Sequence, residues 1–141
     1  MKTYPMCFGC GSDNPHGLHL KPRRTDDGTW ESDFVPAASH CGWPGVVHGG
    51  VLAAALDEIS GYVVFGEGLA AVTTSMNITY QTPATPGEAL LVRARPAHVT
   101  RRIVDTSGEI LRADGTVIAS CRARFLVLTG AQIKEIGIPE P

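Results

Sequence analysis

The segment GVVHGGVLAAALDE, residues 45–58, decides how this chain reads. His48, Gly49 and Gly50 open an apolar helical pattern that continues through Leu52, Ala53, Ala54, Ala55 and Leu56, and Asp57 follows nine residues after His48. Glycines at a helix start leave backbone N–H groups open to a partner oxygen, and the helix dipole favours negative charge there. An acid further along the same apolar helix lies in a partly dry environment. A helix-end amide and a half-buried carboxylate are the minimum equipment for attacking a carbonyl, so the segment is a candidate site. Glu58 is the local rival for the acid and sits about 100° around the helix from Asp57.

Working outward toward the C-terminus, the pattern predicts a helix over about 49–64, stopped by Gly66 and Gly68. The period then changes to two. Residues 71–82 read as a strand with Val72, Thr74, Met76, Ile78 and Tyr80 on one face and Thr73, Ser75, Asn77 and Thr79 on the other. Pro83, Pro86 and Gly87 make a turn, and strands follow over 89–99, 103–112 and 116–128, the last two joined at Asp114-Gly115. In the final strand Val117, Ala119, Cys121, Ala123, Phe125 and Val127 share a face expected to pack on the helix, with Ser120, Arg122 and Arg124 opposite.

On the N-terminal side, residues 36–47 are rich in Pro and Gly and read as irregular. Before them come a weak strand starting at Leu18 and Leu20 and a second over 29–35, with Asp27-Gly28 as the hairpin turn. Residues 1–16 form a cysteine-containing loop, and 130–141 read as a peripheral tail. Two strands, one long apolar helix and four more antiparallel strands predict an α+β fold, a sheet of five to six strands wrapped around one central helix.

The bounds are consistent with this. A chain of 141 residues is the size of one domain, and 43% apolar with 18% charged residues supplies an ordinary core. A net charge of -2 with no basic face argues against a nucleic-acid partner. No apolar run approaches the ~20 residues that cross a bilayer, so no membrane partner is expected. The start, MKTYPMCFGCG, lacks an apolar signal-peptide core, and a cytoplasmic, reducing setting is the expectation. Four cysteines then read as thiols or metal ligands before disulfides.

This order of elements, with GVVHGGVLAAALDE and TTSMNITYQTPATPGE, resembles the hotdog-fold acyl-CoA thioesterases, and most of all their phenylacetate-pathway type. The similarity runs over residues 18–128 and rests on three features: His48-Gly49-Gly50, the acid at Asp57, and the strand from Thr73 to Tyr80 leading to Pro83 and Gly87. The resemblance implies a hotdog fold and hydrolysis of an acyl-CoA thioester by directly activated water, with no metal or other cofactor. It implies Asp57 as general base or nucleophile and Gly49 as the amide that polarises the thioester carbonyl. Thr73 matches a hydroxyl that helps place the water or the acid, and His48 the motif's conventional histidine, with Gly50 beside it. Some members carry Asn six residues before that histidine, where this chain has Gly42. Arg101 and Arg102 follow a strand at a turn where related thioesterases often carry a basic residue, and guanidinium suits the phosphates of coenzyme A. The bland readings are a helix-surface acid for Asp57, a capping or packing role for His48, and a solvated turn for the arginines.

Helix geometry adds one constraint. Eight residues at about 1.5 Å each separate Gly49 from Asp57 by roughly 12 Å, whereas donor and base must both come within about 3 Å of the reacting groups. Two antiparallel copies of the helix satisfy this, so the expected partner besides acyl-CoA is a second copy. The expectation is a homodimer sharing its sites, with a dimer of dimers left open. Whether Asp57 deprotonates water or attacks directly stays open. Two other functions on the same fold remain in play: a hydratase or dehydratase, and a non-catalytic acyl-CoA or aromatic-ligand binder.

CFGCG, residues 7–11, stands apart. Cys7 and Cys10 have the spacing of half a structural zinc site, and His16, His19, His40 and Cys41 are candidates to complete it. A loop lining the acyl pocket or covering the dimer edge is the competing reading.

Overall fold

A computed structural model describes residues 4–138. Strands β1 (Arg23–Arg24) and β2 (Trp30–Phe34) come first, followed by a 3-10 turn (Ala38–His40) and a short hairpin of β3 (Cys41–Trp43) and β4 (Val46–Val47). Helix α1 (Gly49–Phe65) leads into β5 (Ala71–Tyr80), β6 (Leu90–Val99), β7 (Ile103–Arg112) and β8 (Val117–Val127), and α2 (Gly130–Ile136) closes the described chain. Six strands form one sheet in the order β1-β2-β6-β7-β8-β5, every neighbouring pair antiparallel. With α1 packed against this sheet, the architecture is the hotdog fold.

The helix is apolar nearly all round: its first half buries Leu52, Ala55 and Leu56, and residues 59–64 are buried in succession. Leu56 and Ile59 are fully buried and sit in one core cluster with Leu52, Val63, Val92, Ile110 and Ile118. Burying each large aliphatic side chain stabilises the fold by about 1.5–3 kcal/mol relative to exposure. The two glycines that end α1 do different jobs. A Cβ on Gly66 would lie 2.6 Å from the Trp30 indole, so Gly66 allows a close approach, whereas Gly68 takes the left-handed conformation at φ 71°.

The last strand alternates as expected from Ala119 on, with Ala119, Cys121, Ala123, Phe125 and Val127 buried and Arg122 and Arg124 exposed. At its start Ile118 is fully buried and Val117 only half-buried, where the register against β7 shifts. Four other expectations need correction. Leu18 and Leu20 are buried but form no strand: their amides bond to the carbonyls of Phe8 and Gly9. The amide of Lys21 is taken by Ser32 Oγ at 2.8 Å, so pairing with β2 begins only at Arg23 and Arg24. Residues 36–47 are not wholly irregular, since the β3–β4 hairpin lies among them and runs directly into α1. The tail contains α2, capped by Thr129, although that helix buries no side chain and stays peripheral.

The fourth correction positions the site. The register of β5 against β8 shifts between Thr73 and Ser75. That bulge breaks the strict alternation assigned to β5. Thr73 therefore faces α1 together with Met76 and Ile78, while Thr74 is exposed and bonds to the Arg124 carbonyl at 3.1 Å. Bulges re-aim side chains in this way, often beside functional sites.

Candidate active site

His48 is the N-cap of α1, in extended backbone conformation, and its Nδ1 accepts the Gly50 amide at 2.8 Å. This satisfies one of the open amides of the first turn. The next amides, of Val51 and Leu52, donate to the His48 carbonyl. The Gly49 amide donates to no group among the described residues, and Gly49 is half-buried at the positive end of a helix of 17 residues. A carbonyl oxygen developing negative charge is the partner such an amide fits.

Asp57 is half-buried two turns further on, and Thr73 Oγ1 donates to its Oδ1 at 2.8 Å. Only the bulge in β5 lets this happen. One carboxylate oxygen is thereby held in place and the other stays available to accept a proton. Glu58 points elsewhere. Its carboxylate lies against the N-terminal loop, 3.6 and 3.7 Å from Cys7 Sγ, which separates the rival acid from Thr73 and leaves the two acids in different surroundings.

Gly49 and Asp57 sit at opposite ends of β5. Tyr80 donates its hydroxyl to the Gly49 carbonyl at 2.9 Å, while Thr73, seven residues earlier on the strand, holds Asp57. Sequence reasoning placed Tyr80 on the correct face but gave it no role. Its packing under Gly49 is tight, since a Cβ there would meet the phenol ring at 3.3 Å. Gly42 explains itself in the same way: a Cβ at that position would lie 2.9 Å from His48 Cδ2, so the imidazole occupies the space another residue type would need.

Arg101 and Arg102 are exposed in the β6–β7 turn, where Thr100 Oγ1 accepts the amides of Arg102 and Ile103. They line a surface cavity of about 590 Å³ with residues 127–130. Neither Asp57 nor Gly49 borders that cavity.

The N-terminal thiols meet Glu58 rather than a histidine. One sulfur or oxygen each from Cys7, Cys10 and Glu58 lie within 4.8 Å of one another. Tyr62, one turn beyond Glu58, donates its hydroxyl to Cys10 Sγ at 3.3 Å. Burial first, and the adjacent Glu58 carboxylate second, push the Cys10 thiol up to about 12. Burial raises the Tyr62 hydroxyl as well. His19 Nδ1 is engaged with the Gly11 carbonyl at 3.1 Å, and His40 Nδ1 accepts the Ala37 amide at 3.0 Å. Neither histidine, nor His16 or Cys41, joins the Cys7–Cys10–Glu58 cluster.

Residues 44–119 match the thioesterase superfamily, and this chain belongs to it. The phenylacetic acid degradation-related protein of Ralstonia eutropha JMP134 is 30% identical, with 78% of this chain and 86% of that one covered at a TM-score of 0.71. A hypothetical thioesterase of Streptococcus pneumoniae TIGR4, solved with coenzyme A, shares the fold at 24% identity and a TM-score of 0.73, covering 77% of this chain and 85% of its own. An uncharacterized protein of Schizosaccharomyces pombe is 33% identical over 85 residues, 59% of this chain. The chain spans about half the length of that curated relative, 49% of it. Among the described residues no helix is long and apolar enough to cross a membrane.

Proposed function

We propose that this protein hydrolyses an acyl-CoA thioester to the free acid and coenzyme A. The observation that carries this reading is the hydrogen bond from Thr73 to Asp57. It orients a half-buried carboxylate on the same helix whose first amide, that of Gly49, lacks a partner among the described residues. The thioester carbonyl oxygen accepts the Gly49 N–H, the helix dipole stabilises the charge that develops, and Asp57 draws a proton from water as its oxygen attacks the carbonyl carbon. The C–S bond then breaks and coenzyme A leaves as the thiolate. The superfamily and the coenzyme A held by the Streptococcus protein support the substrate class.

The two halves come from different subunits in this reading. Strand β5 is an edge of the sheet, paired only with β8, and its outer side offers free backbone groups to another strand. A second copy of β5, antiparallel across a two-fold axis near Met76 and Asn77, sets Thr73 opposite the partner's Tyr80. Asp57 then stands near the partner's Gly49. Exposed Tyr80 and Trp43, 51% and 77% accessible, are the large apolar surfaces such an interface would cover. His48 and Gly50 shape the helix entrance in this arrangement, and Arg101 and Arg102 meet the nucleotide phosphates. Thiol release from a panel of aliphatic and aromatic acyl-CoAs tests the reading. Turnover of at least one with free acid as product supports it; binding without thiol release across the panel removes it.

A further inference from the structure

The geometry points to a zinc site formed by Cys7, Cys10 and Glu58, with one position open to water, which fastens the N-terminal loop to helix α1. Three potential ligands from two distant parts of the chain converge, with their donor atoms within 4.8 Å of one another. Tetrahedral zinc, with Zn–S about 2.3 Å and Zn–O about 2.0 Å, sets a sulfur–oxygen edge of about 3.5 Å. The separations between Cys7 Sγ and the Glu58 oxygens are 3.6 and 3.7 Å. The Cys7–Glu58 edge thus matches an ion placed between them, and Cys10 Sγ lies within 4.8 Å of both.

The surroundings point the same way. Glu58 forms no ion pair among the described residues, so a half-buried carboxylate faces two sulfurs with no cation to balance it. A divalent ion gives that carboxylate a cation in direct contact, while loss of the two thiol protons leaves the net charge of the cluster unchanged. Tyr62 donates to Cys10 Sγ, the outer hydrogen bond that a metal-bound thiolate accepts. The local backbone is built for the approach: a Cβ on Gly9 would lie 2.3 Å from the Glu58 carboxyl, and one on Gly11 2.4–2.6 Å from the backbone of Pro5 and Cys7. Gly11 is therefore required for the loop to close on itself, and Gly9 leaves the space that the Glu58 carboxyl occupies. Binding breaks two S–H bonds, releases both protons to solvent and forms two S–Zn bonds and one O–Zn bond, with water in the fourth position. Because Glu58 projects about 100° around α1 from Asp57 and meets the N-terminal loop rather than Thr73, the ion fastens the loop and takes no part in thioester hydrolysis.

Untagged protein purified under reducing conditions without chelator is the sample, and elemental analysis reads its zinc. About one equivalent per chain is expected for the unaltered protein and for Cys41→Ser, and less than a tenth for the double variant C7S/C10S. Glu58→Gln, which removes a direct ligand, should weaken zinc affinity by more than the roughly 10–100-fold that loss of an outer hydrogen-bonding partner costs, read in a chromophore competition. Since those variants can fail to fold, the unaltered chain stripped of zinc and refilled with Co²⁺ provides a second reading, a near-ultraviolet thiolate-to-cobalt band. Stripping should also lower the melting temperature by about 5 °C or more. Absence of both zinc and the cobalt band in the unaltered chain overturns the site, as does a Cys7–Cys10 disulfide in the reduced preparation.

Discussion

Thr73 Oγ1 lies 2.8 Å from Asp57 Oδ1, joining the start of β5 to the middle of α1 beside a β-bulge. A threonine one position either side would face away. The bond links the strand that forms the sheet edge to the acid that the proposed chemistry needs, so edge geometry and acid orientation are set by one contact.

Replacing Asp57 by Asn keeps the shape and a hydrogen-bonding group but removes the base. Turnover should fall by about two to four powers of ten with the circular dichroism spectrum unchanged. Thr73→Ala should cost roughly 10–100-fold, the worth of about 1.5–3 kcal/mol for a hydrogen bond to a charged group, and Thr73→Ser should recover most of it. Thiol-release kinetics on the three proteins measure this; equal rates for Thr73→Ala and the parent would remove the contact from the mechanism.

Gly49 occupies the first helical position, where proline is tolerated because the amide it lacks has no intrahelical partner. His48, at φ -62° and ψ 133°, already has the extended conformation a following proline demands. Gly49→Pro therefore deletes the proposed oxyanion donor, with an expected loss of about 10²–10³ in kcat. Gly49→Ala, which keeps the N–H and adds a Cβ at the same place against Tyr80, is the steric control and should lose far less. Refolding Gly49→Pro together with Asp57→Asn then tests the shared site. Half of the dimers are mixed and carry one intact site of two, so about one quarter of the parent rate should return. No recovery on mixing would mean that each chain works alone.

Acid stability has one clear contributor. The Arg112 guanidinium beside Glu88 holds that carboxyl below its ordinary value of 4.5. A carboxyl depressed in the folded state adds stability that is fully present above about pH 4.5 and is lost as pH falls through the lowered value. Arg112 also donates to the Pro83 carbonyl at 2.7 Å, which ties the β5–β6 turn to β7. Urea midpoints at pH 7 should drop modestly in Glu88→Gln, by about 1 kcal/mol or less, and the gap between variant and parent should close by pH 3. A gap that widens in acid would reverse the assignment.

Thr106 is fully buried in β7 and its hydroxyl has no partner among the described residues. Thr106→Val keeps the volume and removes the unpaired polar group, so it should raise stability by about 1–2 kcal/mol. Thermal melts decide between that and a destabilisation, which would show that the hydroxyl is satisfied in solution.

Much of this was open to reading from the residues alone. The period of α1 and the switch to period two after Gly68 follow from side-chain projection, a local property that 15 or so residues reveal. The antiparallel order follows because short turns such as Asp114-Gly115 leave neighbouring strands little choice. His48, the glycines and Asp57 stood out because their spacing on one helix is fixed by its pitch. Contacts between distant stretches of chain were set by the folded molecule as a whole. Periodicity carries no sign of a register shift, so the bulge that turns Thr73 toward Asp57 had to be seen. Likewise Cys7 and Glu58, 51 residues apart, meet because the loop folds back over α1, and no local pattern records which of several histidines or acids a loop will reach.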